Sequence, residues 1–112
     1  MKIKFLQAFN GDSIWISFFE NDIPRNILID GGVGNTYKNS SNVKGDLHKV
    51  IEKLRKDEQF IDLLILTHFD DDHIGGILRW LNKDKEASSL IKKVWFNEKG
   101  FKRKTKLEEK KI

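Results

Sequence analysis

The chain has 112 residues, which is enough for one modest domain with a single hydrophobic core and too short for two. Its 38% of apolar and 34% of charged residues are typical of a globular protein in water, and no apolar run approaches the roughly 20 residues needed to span a bilayer. The absence of cysteine excludes disulfides and thiolate zinc sites, and it favours a cytoplasmic protein without a membrane partner.

The net charge of +4 comes from the end of the chain. Residues 99–111 carry seven basic and two acidic side chains, whereas residues 1–98 carry 14 basic and 15 acidic ones. A basic face across the whole domain, the usual feature of nucleic-acid binding, is therefore not indicated. We interpret residues 99–112 as a basic tail, either a solvated helix or a disordered end, and contact of this tail with phosphates stays open.

The first third of the chain has the pattern of an antiparallel β-sheet. Three segments are rich in β-branched and aromatic residues, and short turns containing Asn, Gly, Asp or Pro separate them. In the second segment, alternation places Ile14, Ile16 and Phe18 on one face of the sheet. The predicted strands are residues 2–9, 13–19 and 25–30.

The pattern then changes to helices that alternate with strands. Residues 46–58 have apolar side chains at helical spacing, with Asp46 as the expected N-cap. Residues 61–66 contain five apolar residues and one Asp, which predicts a strand covered on both faces. The remaining predicted elements are helices at 74–81 and 85–90 and a strand at 93–97. The order β-β-β-α-β-α-β indicates an α/β fold with its sheet and helices in layers.

Several large or titratable residues have an ordinary structural explanation. Trp15, Trp80 and Trp95 occupy strand or helix positions, where large aromatic side chains are mostly part of the core. His48 lies on the predicted amphipathic helix, and we expect it to be an ordinary surface histidine.

The sharpest feature of the sequence is a group of two histidines and three aspartates directly after the buried strand. Residues 67–76 read THFDDDHIGG. If the chain stays extended there, the first, third and fifth residues of HFDDDH point to one side, and the last histidine turns back from the start of the next helix. Burying these groups would be costly unless a cation neutralises the carboxylates, and a divalent ion does so. We therefore predict a metal site formed by His68, Asp70, Asp72 and His73.

A solvated acidic turn is the alternative explanation of this motif. In that case Asp70, Asp71 and Asp72 would cap the next helix, which is the usual role of such a run. This explanation fits Asp71 best, because alternation points its side chain away from the others. It does not account for the two flanking histidines or for the glycines that follow.

Three motifs in order resemble the metallo-β-lactamase superfamily, which carries H-x-H-x-D-H after a buried strand and before a Gly-Gly pair. The sequence is similar to the branch with H-x-D-x-D-H, as in the hydrolase domain of bacterial competence DNA-uptake channel proteins. Residues 10–13 (NGDS) resemble an early turn of that branch, and residues 27–32 (ILIDGG) resemble its strand ending in D-G-G. The resemblance covers residues 1–80.

The resemblance implies a role for each polar residue of these motifs. The ligands it implies are His68 and Asp70 for a first ion, and Asp72 and His73 for a second. Asp72 is also the catalytic candidate, and Asp30 would orient a ligand or the loop rather than bind metal. Asp12 is either a turn residue or a residue near the site, and both readings stay open. Because Asp70 replaces the commoner histidine, the divalent ions expected are zinc or manganese, up to two in a complete site.

The resemblance also implies the architecture. The superfamily fold is an αββα sandwich built from two similar halves, and this chain is long enough for the N-terminal half only. We therefore expect residues 1–98 to form a mostly antiparallel sheet with flanking helices, while residues 99–112 are the basic tail or the start of a missing second half. No histidine follows His73, so the missing half or a partner chain must supply the remaining ligands.

The implied function is that of a metal-dependent hydrolase, in which metal-activated water attacks an ester. A phosphodiester such as nucleic acid is the substrate class that this branch favours. Two alternatives stay open. The half-domain could be completed by a partner chain or by a second copy in a homo-oligomer, or the chain could be a non-catalytic metal-binding or interaction module.

Overall fold

A computed structural model of the chain describes residues 1–97, which form one five-stranded sheet with helices packed on one face. The strands lie in the sheet in the same order as in the chain. They are β1 (Lys2–Phe5), β2 (Ile14–Glu20), β3 (Ile23–Ile29), β4 (Leu63–Leu66) and β5 (Val94–Phe96). The helices are α1 (Asp46–Lys56), α2 (Asp71–Lys83) and α3 (Ala87–Leu90), with a single 3-10 turn at Gly34–Thr36.

The sheet is mixed, because its strands change direction between the two halves of the chain. β1, β2 and β3 form an antiparallel meander, as the turn residues predicted. β4 runs parallel to β3, and β5 runs parallel to β4, each after a helical connection. The α/β class is therefore confirmed. The parallel pairing also brings the C-terminal ends of β3 and β4 to the same edge, where the predicted site follows both strands.

The hydrophobic core lies between the sheet and the helices. Leu28, Leu64 and Leu66 are almost fully buried and belong to the same cluster as the apolar faces of α1 and α2. The members that α1 and α2 contribute to that cluster are Leu47, Val50, Ile51, Leu54, Ile74, Ile77, Trp80 and Leu81. The period of the apolar residues in each helix therefore predicted the buried side correctly.

The opposite face of the sheet is apolar and uncovered within residues 1–97. Pairing across the strands places the following side chains on this open face: Ile3, Phe5, Ile14, Ile16, Phe18, Ile27, Ile29, Leu63, Ile65 and Trp95. All of them are half-buried or exposed, with Phe5 exposed to 74% and Trp95 to 55%. The prediction that β4 is covered on both faces therefore fails for this part of the chain.

The three tryptophans have three different environments. Trp80 is fully buried in the core, as predicted. Trp15 is half-buried against the core and donates a 2.9 Å hydrogen bond from its indole nitrogen to Asn26. The core assignment of Trp95 is wrong, because strand alternation turns it to the open face, away from its neighbours Val94 and Phe96.

The N-cap of α1 and the first residue of α2 differ from the predicted ones. Gly45 occupies the N-cap position of α1, so Asp46 is the first helical residue, and its carboxylate accepts the Gln7 amide at 2.8 Å. α2 begins at Asp71 rather than at residue 74, with Asp70 in extended conformation at its N-cap. Carboxylates in a first turn stabilise the positive end of the helix dipole, which favours the earlier start.

His48 is not the surface histidine that the pattern predicted. Its side chain on α1 is largely buried, and its ring lies 5.0 Å from the ring of Tyr37. Burial lowers the pKa of His48, and the nearby lysines act in the same direction, against the opposing effect of Glu52.

The interpretation of residues 99–112 as a tail or as the start of a second half lies outside the described residues. None of the helices formed by residues 1–97 combines the length and the hydrophobicity that crossing a lipid bilayer requires.

Candidate metal centre

The three motifs singled out in the sequence meet at one edge of the sheet. The loop after β1 approaches the start of α2, where the Asp12 amide donates to the Asp72 carbonyl at 3.1 Å. The loop after β3 approaches the same turn, where the Gly31 amide donates to the His73 carbonyl at 2.6 Å. The first turn of α2 is thus fixed by backbone hydrogen bonds to both loops.

Glycines permit this close approach of backbones. A Cβ atom on Gly11 would lie 1.8 Å from the Asp72 carbonyl oxygen, and one on Gly76 would lie 2.1 Å from the Gly31 carbonyl oxygen. The Gly76 amide also donates to the Gly32 carbonyl at 2.9 Å. Larger residues at Gly11 or Gly76 would push the loops and α2 apart.

Asp30 lies at the centre of the meeting point and is almost fully buried. Its backbone has a φ of 57°, a left-handed conformation that Asp tolerates better than most residues. Its carboxylate accepts hydrogen bonds from the Thr67 amide at 2.9 Å, from the Thr67 hydroxyl, and from His73 Nδ1 at 3.0 Å. The Ser13 hydroxyl donates to the Asp30 carbonyl at 3.0 Å. Asp30 therefore joins β3, the end of β4 and α2, and it orients His73 as the resemblance implied.

Burial and neighbouring carboxylates act in opposite directions on the pKa of His73. Burial by itself lowers the pKa of His73, but the hydrogen bond to Asp30 and the negative charges of Asp30, Asp72 and Asp12 outweigh it, so the pKa is raised. His73 Nδ1 lies 3.9 Å from an Asp12 carboxylate oxygen, which places Asp12 near the site as well as in the turn. His73 Nε2 lies 3.9 Å from an Asp72 carboxylate oxygen.

The structure brings together some of the four predicted ligands. The rings of His68 and His73 lie 4.6 Å apart, and Asp72 is next to His73 in the first turn of α2. Asp70 is exposed at the N-cap and makes no side-chain capping bond, while its carbonyl accepts the His73 amide at 2.9 Å. The prediction that the backbone stays extended as far as Asp72 is wrong, because α2 has already begun at Asp71.

Asp71 points to a different side of α2 from His73. It contributes to a shallow pocket whose other lining residues include Asn35, Arg79 and Asn82. Successive helical residues are separated by about 100°, which explains why Asp71 and Asp72 face different surroundings. The expectation that Asp71 points away agrees with this placement.

The donor set fits a divalent cation in part. Across residues 1–97, no three His, Asp or Glu side chains converge so as to hold one ion. Asp72 and His73 present a carboxylate oxygen and an imidazole nitrogen side by side, and Asp30 holds the other nitrogen of His73. A carboxylate that orients a histidine in this way is typical of metal sites. This pair supplies two donor atoms of the types that divalent ions take, and residues 1–97 bring no third His, Asp or Glu side chain to them.

Thr67 and Ser13 are the polar residues of this site that sequence reasoning missed. Ser13 stood in a predicted strand, and Thr67 stood between a strand and the first histidine. The signal for Thr67 was its place in the motif, one residue before His68, where its hydroxyl reaches both that histidine and Asp30 directly after β3.

Comparisons with known proteins support the superfamily that the motifs indicated, while the competence-protein branch stays a prediction. The chain is 30% identical over 77 residues to a hydroxyacylglutathione hydrolase of Vibrio campbellii and 29% identical over 77 residues to one of Vibrio parahaemolyticus. Each alignment covers 69% of this chain and 25% of the relative, so the chain spans about a quarter of the length of these relatives.

The family model for the metallo-beta-lactamase superfamily matches residues 10–112, which is nearly the whole chain. Members of this superfamily are typically metal-dependent hydrolases that bind divalent ions, often zinc. The fold, the edge at which the motifs meet and this match lead to one conclusion: the chain belongs to the metallo-β-lactamase superfamily.

Proposed function

We propose that this chain carries part of the metal site of a metal-dependent hydrolase. The observation that carries the proposal is the orientation of His73, whose Nδ1 is held by buried Asp30 while its Nε2 lies beside Asp72. A histidine held in this way presents its second nitrogen as a ligand. The proposed ligands are His68, Asp70, Asp72 and His73.

The chemistry proposed is hydrolysis of an ester by activated water. Zinc or manganese, up to two ions, would lower the pKa of water and stabilise negative charge on the substrate. Asp72 is the proposed catalytic residue, because its half-exposed carboxylate at the start of α2 lies next to the open nitrogen of His73. Asp30 keeps the imidazole in position and excludes water from behind it.

A phosphodiester, such as a nucleic acid, is the first candidate substrate. The H-x-D-x-D-H pattern of residues 68–73 supports it, because this pattern resembles the competence-protein branch. The second candidate is a hydroxyacylglutathione, which is supported by the names of the two Vibrio relatives.

Completion of the site requires donors beyond those of residues 1–97. We propose that they come from a second half of the domain or from another chain, which includes a second copy in a homo-oligomer. The open face of the sheet supports such an assembly, since large exposed apolar patches mark interaction surfaces. A non-catalytic metal-binding module is the alternative, which is favoured because no three His, Asp or Glu side chains converge within residues 1–97.

A calorimetric titration with Zn²⁺ and with Mn²⁺ tests the site. We expect the chain to bind at least one of these ions and the double variant His68→Ala/Asp72→Ala to lose tight binding, because two of the four proposed donors are removed. Far-ultraviolet circular dichroism should show an unchanged sheet. Asp71→Ala is the matched control, and we expect its affinity to stay within about twofold of the original, as for an exposed residue outside the site. Equal binding by the double variant would disprove the ligand assignment.

Hydrolysis assays with the metal-loaded chain distinguish the candidate functions. Turnover of a generic phosphodiester supports the first substrate class, and turnover of a hydroxyacylglutathione supports the second. Metal binding without turnover of either supports the non-catalytic alternative for this chain, and the same assays then apply to the assembled protein.

A further inference from the structure

Thr67 contacts one histidine of the site directly and contacts the hydrogen-bond partner of the other. Its hydroxyl oxygen is 2.5 Å from Asp30 Oδ2 and 3.0 Å from His68 Nδ1. The same Asp30 oxygen is 3.0 Å from His73 Nδ1. A continuous chain of polar contacts therefore joins His68, Thr67, Asp30 and His73.

The protons in this chain can be assigned from the number of donors. A carboxylate has no proton to give, so Thr67 and His73 must both donate to Asp30. A hydroxyl has one proton, and Thr67 gives it to the carboxylate, because a carboxylate is a stronger acceptor than a neutral imidazole nitrogen. The Thr67 oxygen can then only accept from His68. His68 Nδ1 must therefore carry a proton.

His68 and His73 therefore have the same tautomer, with a proton on Nδ1. Each ring donates through Nδ1 and keeps the lone pair of Nε2 for a ligand. The two ring centroids are 4.6 Å apart, so the two free nitrogens belong to one site. Asp30 acts directly on His73, but it reaches His68 only through the hydroxyl of Thr67.

We propose that Thr67 is a positioning residue that fixes the tautomer of His68, so that one buried carboxylate orients both histidines for metal binding. The part of this inference that concerns metal rests on the proposed function. The tautomer itself is a property of the metal-free chain and does not depend on it. Thr67 touches no substrate or ion and acts through His68.

Nuclear magnetic resonance of the metal-free chain tests the tautomer. Long-range ¹H–¹⁵N spectra, recorded about two pH units above the ordinary imidazole pKa, distinguish protonated from bare ring nitrogens. We expect His68 to be protonated at Nδ1 in the original chain and in Thr67→Ser. In Thr67→Val, which keeps the shape of the side chain but lacks the hydroxyl, we expect a mixture of tautomers. A predominantly Nε2-protonated His68 in the original chain would overturn the proposal, whether or not any variant folds.

Metal titration gives the second readout. We expect Thr67→Val to weaken Zn²⁺ binding by about 10- to 100-fold, as is usual when a residue that orients a ligand is lost, and Thr67→Ser to restore it. Thr36→Val is the matched control, because Thr36 is buried and its hydroxyl has no hydrogen-bond partner within residues 1–97. Its affinity should equal that of the original chain.

The two readouts separate the two proposals. If the original chain binds no metal but His68 is protonated at Nδ1, the proposed function fails for this chain and the role of Thr67 in the tautomer stands. If metal binds equally well to the original chain and to Thr67→Val, the role of Thr67 is disproved and the proposed function stands.

Discussion

Asp30 is a buried carboxylate surrounded by hydrogen-bond donors. Three donors from two residues reach its oxygens, and a hydroxyl reaches its carbonyl. Because each of these partners donates its hydrogen bond to Asp30, the surroundings suit a carboxylate better than an amide, which would bring donors of its own. Asp30 therefore stabilises the edge of the sheet as well as orienting His73.

We expect Asp30→Asn to lower the free energy of unfolding by about 1.5–3 kcal/mol, the usual worth of hydrogen bonds to a charged group. The amide would keep one acceptor oxygen, but its NH₂ group would face Thr67 or His73 as a second donor. Urea unfolding of the metal-free chain measures the effect. Asp12→Asn is the control, since Asp12 has a side chain exposed to 71%, and its effect should stay within about 0.5 kcal/mol. Equal losses in both variants would contradict this role of Asp30.

For single residues, the sequence predicted which residues form the site better than it predicted how their side chains are oriented. The motif pointed to His73, Asp72 and Asp30, and all three meet at one edge of the sheet. The motif did not predict the direction of the Asp72 side chain. An extended backbone with a period of two residues was assumed there, whereas the backbone is already helical. Thr67 was missed because its partner Asp30 lies 37 residues away, so that its position beside His68 in the motif was the only local sign of its role.

Helix α2 is the element on which the site depends, because its first turn carries Asp72 and His73. Its apolar period predicted the helix, but polar residues at its start do not contribute to that period. The prediction therefore began too late. The Gly75-Gly76 pair, interpreted as the entrance to the helix, lies inside its second turn and packs against the loop after β3.

We expect Gly76→Ala to destabilise the protein by about 1–3 kcal/mol, as overpacking usually does. Ordinarily, alanine in place of glycine stabilises a helix interior by roughly 0.5–1 kcal/mol. Here the new Cβ would meet the Gly31 carbonyl oxygen, so α2 must move away from the loop. Thermal unfolding measures the change.

Asn82→Ala on the exposed side of the same helix is the comparison for Gly76→Ala. It removes an exposed side chain and should leave stability unchanged or raise it by about 0.5 kcal/mol, because alanine has the higher helix propensity. A gain in stability for Gly76→Ala would show that the loop gives way easily, and that close packing at this position does not hold the site together.

At the scale of the whole molecule, the order of elements and the α/β class followed from the sequence. The change from a meander to helical crossovers was visible as a change in apolar period near residue 46. What covers the sheet was not predictable, because an apolar strand looks the same whether its second face meets another layer or solvent. Ile65 on β4 and Trp95 on β5 both point to that second face.

The open face predicts association of this chain in solution. Its apolar side chains run across all five strands from Phe5 on β1 to Trp95 on β5, without an intervening layer in residues 1–97. Burial of apolar surface contributes roughly 25 cal/mol per Å². Binding of a second copy or of a missing half to this face would therefore be favourable, because it would bury this apolar surface.

We expect sedimentation equilibrium to show concentration-dependent self-association that decreases in the variant Phe5→Lys/Trp95→Lys, since charges on the open face oppose burial. Phe19→Lys is the matched control. Phe19 is as exposed as Phe5, at 74%, but strand alternation places it on the face that carries the helices. If Phe19→Lys dissociates the chain as strongly as the double variant does, association uses another surface. If the original chain is a strict monomer at high concentration, a second copy does not complete the site, and the missing donors belong to a different polypeptide segment.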